Sequence, residues 1–241
     1  MAGEKVTFDS KNGKGPCPGA FFKHASSKKG LVVIQEWWGM NEQIQKQAEN
    51  IGKEGDFVTI VPDLYRGNVA TDNEQADHAM KNLDWKGAVL DIIGAVKFLK
   101  EKGCQKVGVT GFCMGGALSL AAAALVKEET AKLPEGEKVT IDAAAPFYGI
   151  PDSGLCDVTK ITCPVQCHFG EKDALDGFSS PKDAKALEEK LTKAGVKVEL
   201  HMYPQCGHAF THQGGPLGTY NDDAAKLAMK RLYGFMNEKL Q

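Results

Sequence analysis

The segment Lys106-Val-Gly-Val-Thr-Gly111-Phe112-Cys113-Met114-Gly115-Gly116 decides how this chain folds. Its first six residues form a short run of β-branched and small side chains, the pattern of a buried strand. An apolar, alanine-rich run over 117–126 follows and predicts a buried helix. Between them, Gly111-x-Cys113-x-Gly115 has the Gly-x-nucleophile-x-Gly form of a nucleophile elbow, with cysteine in the usual serine place. The need for glycine is steric. A sharp strand-to-helix turn holds its central residue in a strained backbone conformation, and the flanking segments must approach closely. The turn also aims the cysteine at the positive end of a helix, where a thiolate is stabilised. In a chain with 27 glycines among 241 residues, chance yields roughly 0.2 such patterns. The pattern alone would equally fit a buried cysteine at a tight turn, so its placement between strand and helix carries the weight.

Working outward, the chain alternates short apolar runs with helical patterns, which predicts a mostly parallel sheet of seven or eight strands covered on both faces. Strands are expected at 6–8, 20–23, 31–35, 57–61, 106–111, 143–147, 165–169 and 198–202. Helices are expected at 41–54, 85–102, 114–125, 181–194 and 220–239. Gly55, Gly103 and Gly195 follow three of these helices as left-handed stops. Pro62 and Pro204 close two strands, where a missing N–H is tolerated. Residues 66–83 are polar and weakly periodic, and read as a loop or short helices. No repeat, low-complexity tract or linker interrupts the pattern, so residues 1–241 are expected to form one domain.

Composition narrows the functional classes. The formal charge of −2 offers no electrostatic reason for a nucleic-acid or anionic-membrane partner. The longest apolar runs fall far short of a membrane span, and the start lacks the order of a signal peptide, so a cytosolic protein is expected. Seven cysteines, an odd number with no Cys-x-x-Cys pair, argue against a disulfide framework or a zinc site. Reduced, mostly buried thiols are expected, with no metal and no cofactor, and a monomer is the default.

In open α/β sheets, chemistry gathers at the carboxyl ends of the strands. That edge would hold residues 36–38, Cys113, Tyr148, Asp173 and His208. A nucleophile elbow of this kind is followed in the chain by an acid and then a histidine. Downstream of Cys113, the strand at 165–169 leads into Gly170-Glu171-Lys172-Asp173. Asp173 is the best-placed acid, with Glu171 and Asp176 as competing carboxylates. Of six histidines, His208 stands in a loop just beyond the last strand, where the base is delivered. His24 and His78 lie before the acid, and His168 and His201 lie within strands. His212, in a glycine-rich loop, reads as a substrate contact. Cys113 would then act as nucleophile, His208 as proton carrier and Asp173 as the group that fixes the histidine tautomer. The backbone N–H of Met114 would serve an oxyanion hole. Trp38, Tyr148, Phe178 and Phe210 are candidate pocket-lining residues, although each would also suit ordinary core.

Four motifs in this order resemble the dienelactone hydrolase (carboxymethylenebutenolidase) family: Gln35-Glu36-Trp37-Trp38-Gly39, Gly111-Phe112-Cys113-Met114-Gly115-Gly116, Gly170-Glu171-Lys172-Asp173 and Gly207-His208-Ala209-Phe210. The likeness runs from about Pro16 to the C-terminal helix. It implies an α/β-hydrolase fold and a cysteine-dependent hydrolase of small esters or lactones. It also implies that Glu36 pairs with the resting thiol and helps to deprotonate it, and that the Trp37 N–H is the second oxyanion donor. A carboxylate beside Trp37 and Trp38 is expected to be partly desolvated. The chain departs from the family where arginines grip the carboxylate of dienelactone. His212 stands four residues after His208 in place of one, and the stretch 71–80 contains no other. A wider class of esters is therefore expected. The competing function is a catalytically silent hydrolase fold that binds a small ligand. A third reading gives Cys206, two residues before His208, a redox role towards Cys113.

Overall fold

A computed structural model describes residues 3–23, 27–131 and 133–241. His24 and the first two residues of the amino-terminal stretch, both considered above, lie outside them. The chain forms an α/β-hydrolase fold built on one sheet of eight strands. These are β1 (Glu4–Phe8), β2 (Cys17–Phe22), β3 (Lys29–Ile34), β4 (Val58–Pro62), β5 (Lys106–Phe112), β6 (Ala143–Phe147), β7 (Val165–Gly170) and β8 (Val198–Tyr203), in the spatial order β1-β2-β4-β3-β5-β6-β7-β8. The first two strands form an antiparallel hairpin, and β2 also runs antiparallel to β4. All remaining pairs are parallel.

Among the described residues there are six α-helices: α1 (Glu42–Gly55), α2 (Asn73–Lys81), α3 (Trp85–Glu101), α4 (Met114–Thr130), α5 (Pro181–Lys193) and α6 (Asp222–Lys239). Helices α1 and α6 pack together, as do α3 and α4. The strand register shows that these pairs lie on opposite faces. Gly30 pairs with Val107 and faces Leu99 of α3, while the next pair, Leu31 and Gly108, faces Met236 of α6. Successive side chains alternate between faces, so both faces are covered. This is why β3 and β5 read as nearly continuous apolar runs instead of alternating ones.

Three departures from the sequence pattern have physical causes. Gly55 is the last residue of α1, and the left-handed position falls to Asp56 (φ 58°), whose N–H bonds to the Gly52 carbonyl. Glycine is needed at 55 because a Cβ there would sit 2.2 Å from the Phe57 ring. Helix α4 runs past 125 to Thr130, because Lys127, Glu128 and Glu129 are good helix formers that extend it into solvent. The polar stretch 66–83 contains a true helix, α2, capped by the Asp72 side chain on the Gln75 N–H at 2.8 Å. Its buried Ala76 packs with Trp38 and Ala70. Among the described residues, no helix is long and apolar enough to cross a membrane.

Candidate active site

Strand β5 ends at Phe112, and α4 begins at Met114, so Cys113 alone makes the turn. It sits at φ 56° and ψ −117°, a region that costs a non-glycine residue of order 1–3 kcal/mol. The surroundings hold it there. Its N–H bonds to the Phe147 carbonyl at 3.0 Å, and its own carbonyl accepts from Gly116 at 2.9 Å. The elbow glycines are obligatory for close approach. A Cβ on Gly111 would lie 2.2 Å from the Gly115 carbonyl oxygen, and one on Gly115 would lie 2.4 Å from that of Ile34. Because backbone crowds both, Gly115→Ala is expected to destabilise the fold by about 2–3 kcal/mol, read from urea unfolding.

Asp173 follows β7 in a turn whose N–H bonds back to the Gly170 carbonyl at 3.3 Å. Its carboxylate is fully buried. Oδ2 lies 2.8 Å from His208 Nδ1, and Oδ1 accepts from the Leu175 N–H at 3.1 Å. The Ser179 hydroxyl, also buried, stands 3.1 Å from the same nitrogen. Tyr148 meets the imidazole edge-on, with ring centroids 5.2 Å apart, and the Phe178 ring lies 6.1 Å away. The Thr219 hydroxyl donates to the His208 carbonyl at 2.5 Å and fixes the loop. The other ring nitrogen, Nε2, is buried without a formed hydrogen bond. Burial works to lower the His208 pKa, but the bond to Asp173 and the neighbouring Cys113 outweigh it and raise the value to about 10. His208 therefore carries its proton near neutrality.

Glu36, at the end of β3, is buried in a second cluster. Its Oε2 lies 2.5 Å from His212 Nδ1, and its Oε1 accepts from the Tyr148 hydroxyl at 3.4 Å. Tyr148 shares a 2.6 Å hydrogen bond with Thr211. Burial and then the Glu36 charge push the Tyr148 pKa well above its ordinary value, so the phenol stays neutral. The hydrogen bond to Glu36 raises the His212 pKa against the effect of burial.

A sequence profile of the dienelactone hydrolase family matches residues 19–240. The chain belongs to that family. It is 34% identical over 193 residues to "Protein usf" of Aquifex pyrophilus, covering 76% of this chain and 77% of that one. It is 25% identical over 218 residues to the carboxymethylenebutenolidase of Pseudomonas putida, covering 86% and 84%. Among solved structures, a dienelactone hydrolase-like promiscuous phosphotriesterase from metagenomic libraries superposes with a TM-score of 0.77 at 20% identity, covering 99% of each chain. Esterase 2 of Thermogutta terrifontis, phosphonylated by cyclosarin, gives a TM-score of 0.72 at 17% identity, covering 98% and 94%. These two likenesses concern the fold.

Within this family framework, a cavity of about 1090 Å³ opens beside the elbow, and Glu36, Cys113, Asp173 and His208 all line it. Trp37, Trp38 and Phe178 are also on its wall, whereas Tyr148, Phe210 and His212 are not. Tyr148 and Phe210 are fully buried, 5.5 Å apart, behind the imidazole. They form the packed floor beneath the site, so the expectation that they line the pocket is corrected. His212 is likewise turned from substrate contact to anchoring Glu36, because a buried carboxylate needs a charged partner. Glu36 is paired with His212. Cys206 is buried, and burial raises its thiol pKa, which leaves it a poor partner for redox exchange. All seven cysteines are free. Among the described residues no group of three or more His, Cys, Asp or Glu is arranged to hold a metal.

Sequence reasoning missed Ser179 and Thr211, whose hydroxyls reach His208 and Tyr148 only in the folded chain. It also missed Met80, Trp85, Ile150 and Leu155 on the cavity wall.

His212→Ala is expected to leave a buried carboxylate with one weak partner, costing on the order of 3 kcal/mol. The raised folded pKa of His212 means that the ion pair is fully present below the ordinary value of 6.5 and is lost as pH rises through the higher folded value. Urea unfolding should therefore show the larger loss at pH 6 than at pH 9. The doubly neutral Glu36→Gln/His212→Gln protein should be closer to the parent than His212→Ala.

Proposed function

We propose that this chain hydrolyses a carboxylic ester or lactone through a thioester formed on Cys113. The observation that carries the reading is the geometry of His208, whose Nδ1 is fixed by Asp173 at 2.8 Å while its other nitrogen is left to serve the neighbouring Cys113. A ring oriented on one nitrogen and open on the other is suited to carry a proton between nucleophile, leaving group and water.

With the proton on His208, the Cys113 sulfur attacks the ester carbon, and the carbonyl electrons move to oxygen. The backbone N–H groups of Met114 and Trp37 are the donors assigned to that oxyanion, a contribution typically worth 10²–10³ in rate per donor. Collapse breaks the C–O bond, and His208 Nε2–H protonates the departing alkoxide. Water then gives a proton to His208 and its hydroxyl to the thioester carbon, which releases the acid and restores the sulfur. Asp173 keeps the imidazolium paired throughout. Glu36 acts here as a positioning residue. Tied to His212 and Tyr148, it fixes the turn that carries Trp37, and it takes no part in the proton's path.

The test is turnover of p-nitrophenyl acetate before and after alkylation with iodoacetamide. Loss of turnover with one equivalent of label on Cys113 is expected. Undiminished turnover in fully labelled protein would sink the reading.

A further inference from the structure

The wall of the cavity specifies what kind of ester fits. All three tryptophans of the chain, Trp37, Trp38 and Trp85, line it, together with Ile150, Leu155 and Phe178. Its volume of about 1090 Å³ stands at the upper end of the roughly 300–1,000 Å³ usual for small-molecule sites. Two of the four exposed large aliphatic side chains, Leu175 (46% exposed) and Leu217 (51%), stand at its mouth. Apolar side chains exposed together at the rim of a cleft mark a surface that is covered when ligand binds.

The charges around the cavity point the same way. Glu36 and Asp173 are held by His212 and His208, so Asp152 and Asp176 are the lining carboxylates outside those pairs, and Lys172 is the one lysine or arginine among the lining residues. The chain has only two arginines, and both are committed elsewhere. Arg66 pairs with Asp91 at 2.8 Å and contacts the Cys17 sulfur at 3.0 Å, while Arg231 lies over the Tyr203 ring at 5.4 Å. A substrate carboxylate would meet acidic neighbours and leave water without a guanidinium to receive it.

We infer that the substrate is an uncharged ester bearing a bulky apolar group, and that a second carboxylate on it is rejected. The inference rests on the Cys113 reading for its chemistry and on the cavity for its specificity. Leaving-group chemistry is held constant by comparing p-nitrophenyl octanoate with p-nitrophenyl monosuberate, which has the same chain length but ends in a carboxylate. The octanoate should exceed the monosuberate in kcat/KM by on the order of 10², and exceed p-nitrophenyl acetate by about tenfold. Equal or better use of the monosuberate overturns the inference, as does a preference for acetate.

A binding arm separates this from the catalytic reading. N-phenyl-1-naphthylamine, an uncharged apolar fluorophore, should bind the Cys113→Ala protein. Octanoate ester should displace it, monosuberate should do so about 10²-fold less well, and Trp85→Ala should weaken its binding. If Cys113→Ala turns over esters like the parent, the catalytic reading fails while the cavity inference is still decided by the probe. If the probe does not bind, or both esters displace it equally, the specificity inference fails even though Cys113 is essential.

Discussion

Replacing Cys113 by alanine should abolish ester turnover, with kcat falling by on the order of 10⁵ or more, while the protein stays folded. The loss is large because the proposed route forms a covalent bond to sulfur, and nothing else at the elbow supplies a nucleophile. The fold should survive because alanine meets the same backbone demand that cysteine already meets at φ 56°. The hydrogen bonds that hold the turn come from the Phe147 carbonyl and the Gly116 N–H, and neither involves the side chain. Thermal unfolding within a few degrees of the parent, together with absent turnover, is the expected pair of results. Turnover within tenfold of the parent would remove Cys113 from the mechanism.

The second large effect belongs to Asp173→Asn, for which a loss of about 10⁴ in kcat is expected. Asp173 accepts from His208 Nδ1 at 2.8 Å with its carboxylate fully buried, so no water can take over that role. An amide there can donate to Nδ1, which favours the tautomer already protonated on Nε2 and unable to take the proton of the thiol. The Ser179 hydroxyl at 3.1 Å limits the damage only if it can fix the ring alone. The pH profile carries the sharper signature. With an alkyl ester, whose leaving group needs a proton, the parent should lose kcat/KM as pH rises through about 10, where His208 gives up its proton. In Asp173→Asn, that alkaline limb should move down towards the ordinary histidine value of 6.5. The same raised pKa contributes folding stability that is complete below 6.5 and lost as pH rises through 10. A parent profile whose alkaline limb already lies near 7 would contradict the geometry of this pair.

Family membership and the site geometry agree on where chemistry gathers, and the geometry adds two partners for Glu36. The resemblance implies a carboxylate that attends the thiol. In this chain His212 holds Glu36 at 2.5 Å and Tyr148 backs it.

Several elements of the site are legible in linear order because local backbone geometry demands particular residues. A strand-to-helix turn with crowded carbonyls on both sides needs Gly111 and Gly115, and those glycines bracket Cys113 wherever the rest of the chain goes. Asp173 and His208 each follow a strand end, and parallel strands deliver their carboxyl ends to one edge, so chain order implied spatial proximity. The central strands could be read because runs buried on both faces are apolar without interruption. Side-chain partnerships across long sequence distances were not legible. Tyr148 and Phe210 have the composition of pocket residues, and only packing decides that they lie behind His208. Met80 and Trp85 reach the cavity because α2 and the start of α3 pass its edge, and a polar, weakly periodic stretch does not announce that. Glu36 and His212 are 176 positions apart, and their pairing exists only once β3 and the last loop meet. The sequence by itself determined the elbow, the order of acid and histidine and the sheet that aligns them, since each follows from a local steric or periodic requirement. The tertiary structure alone decided which apolar residues face the substrate, where both arginines are spent and what Glu36 holds, because burial and charge pairing depend on neighbours brought together only by folding.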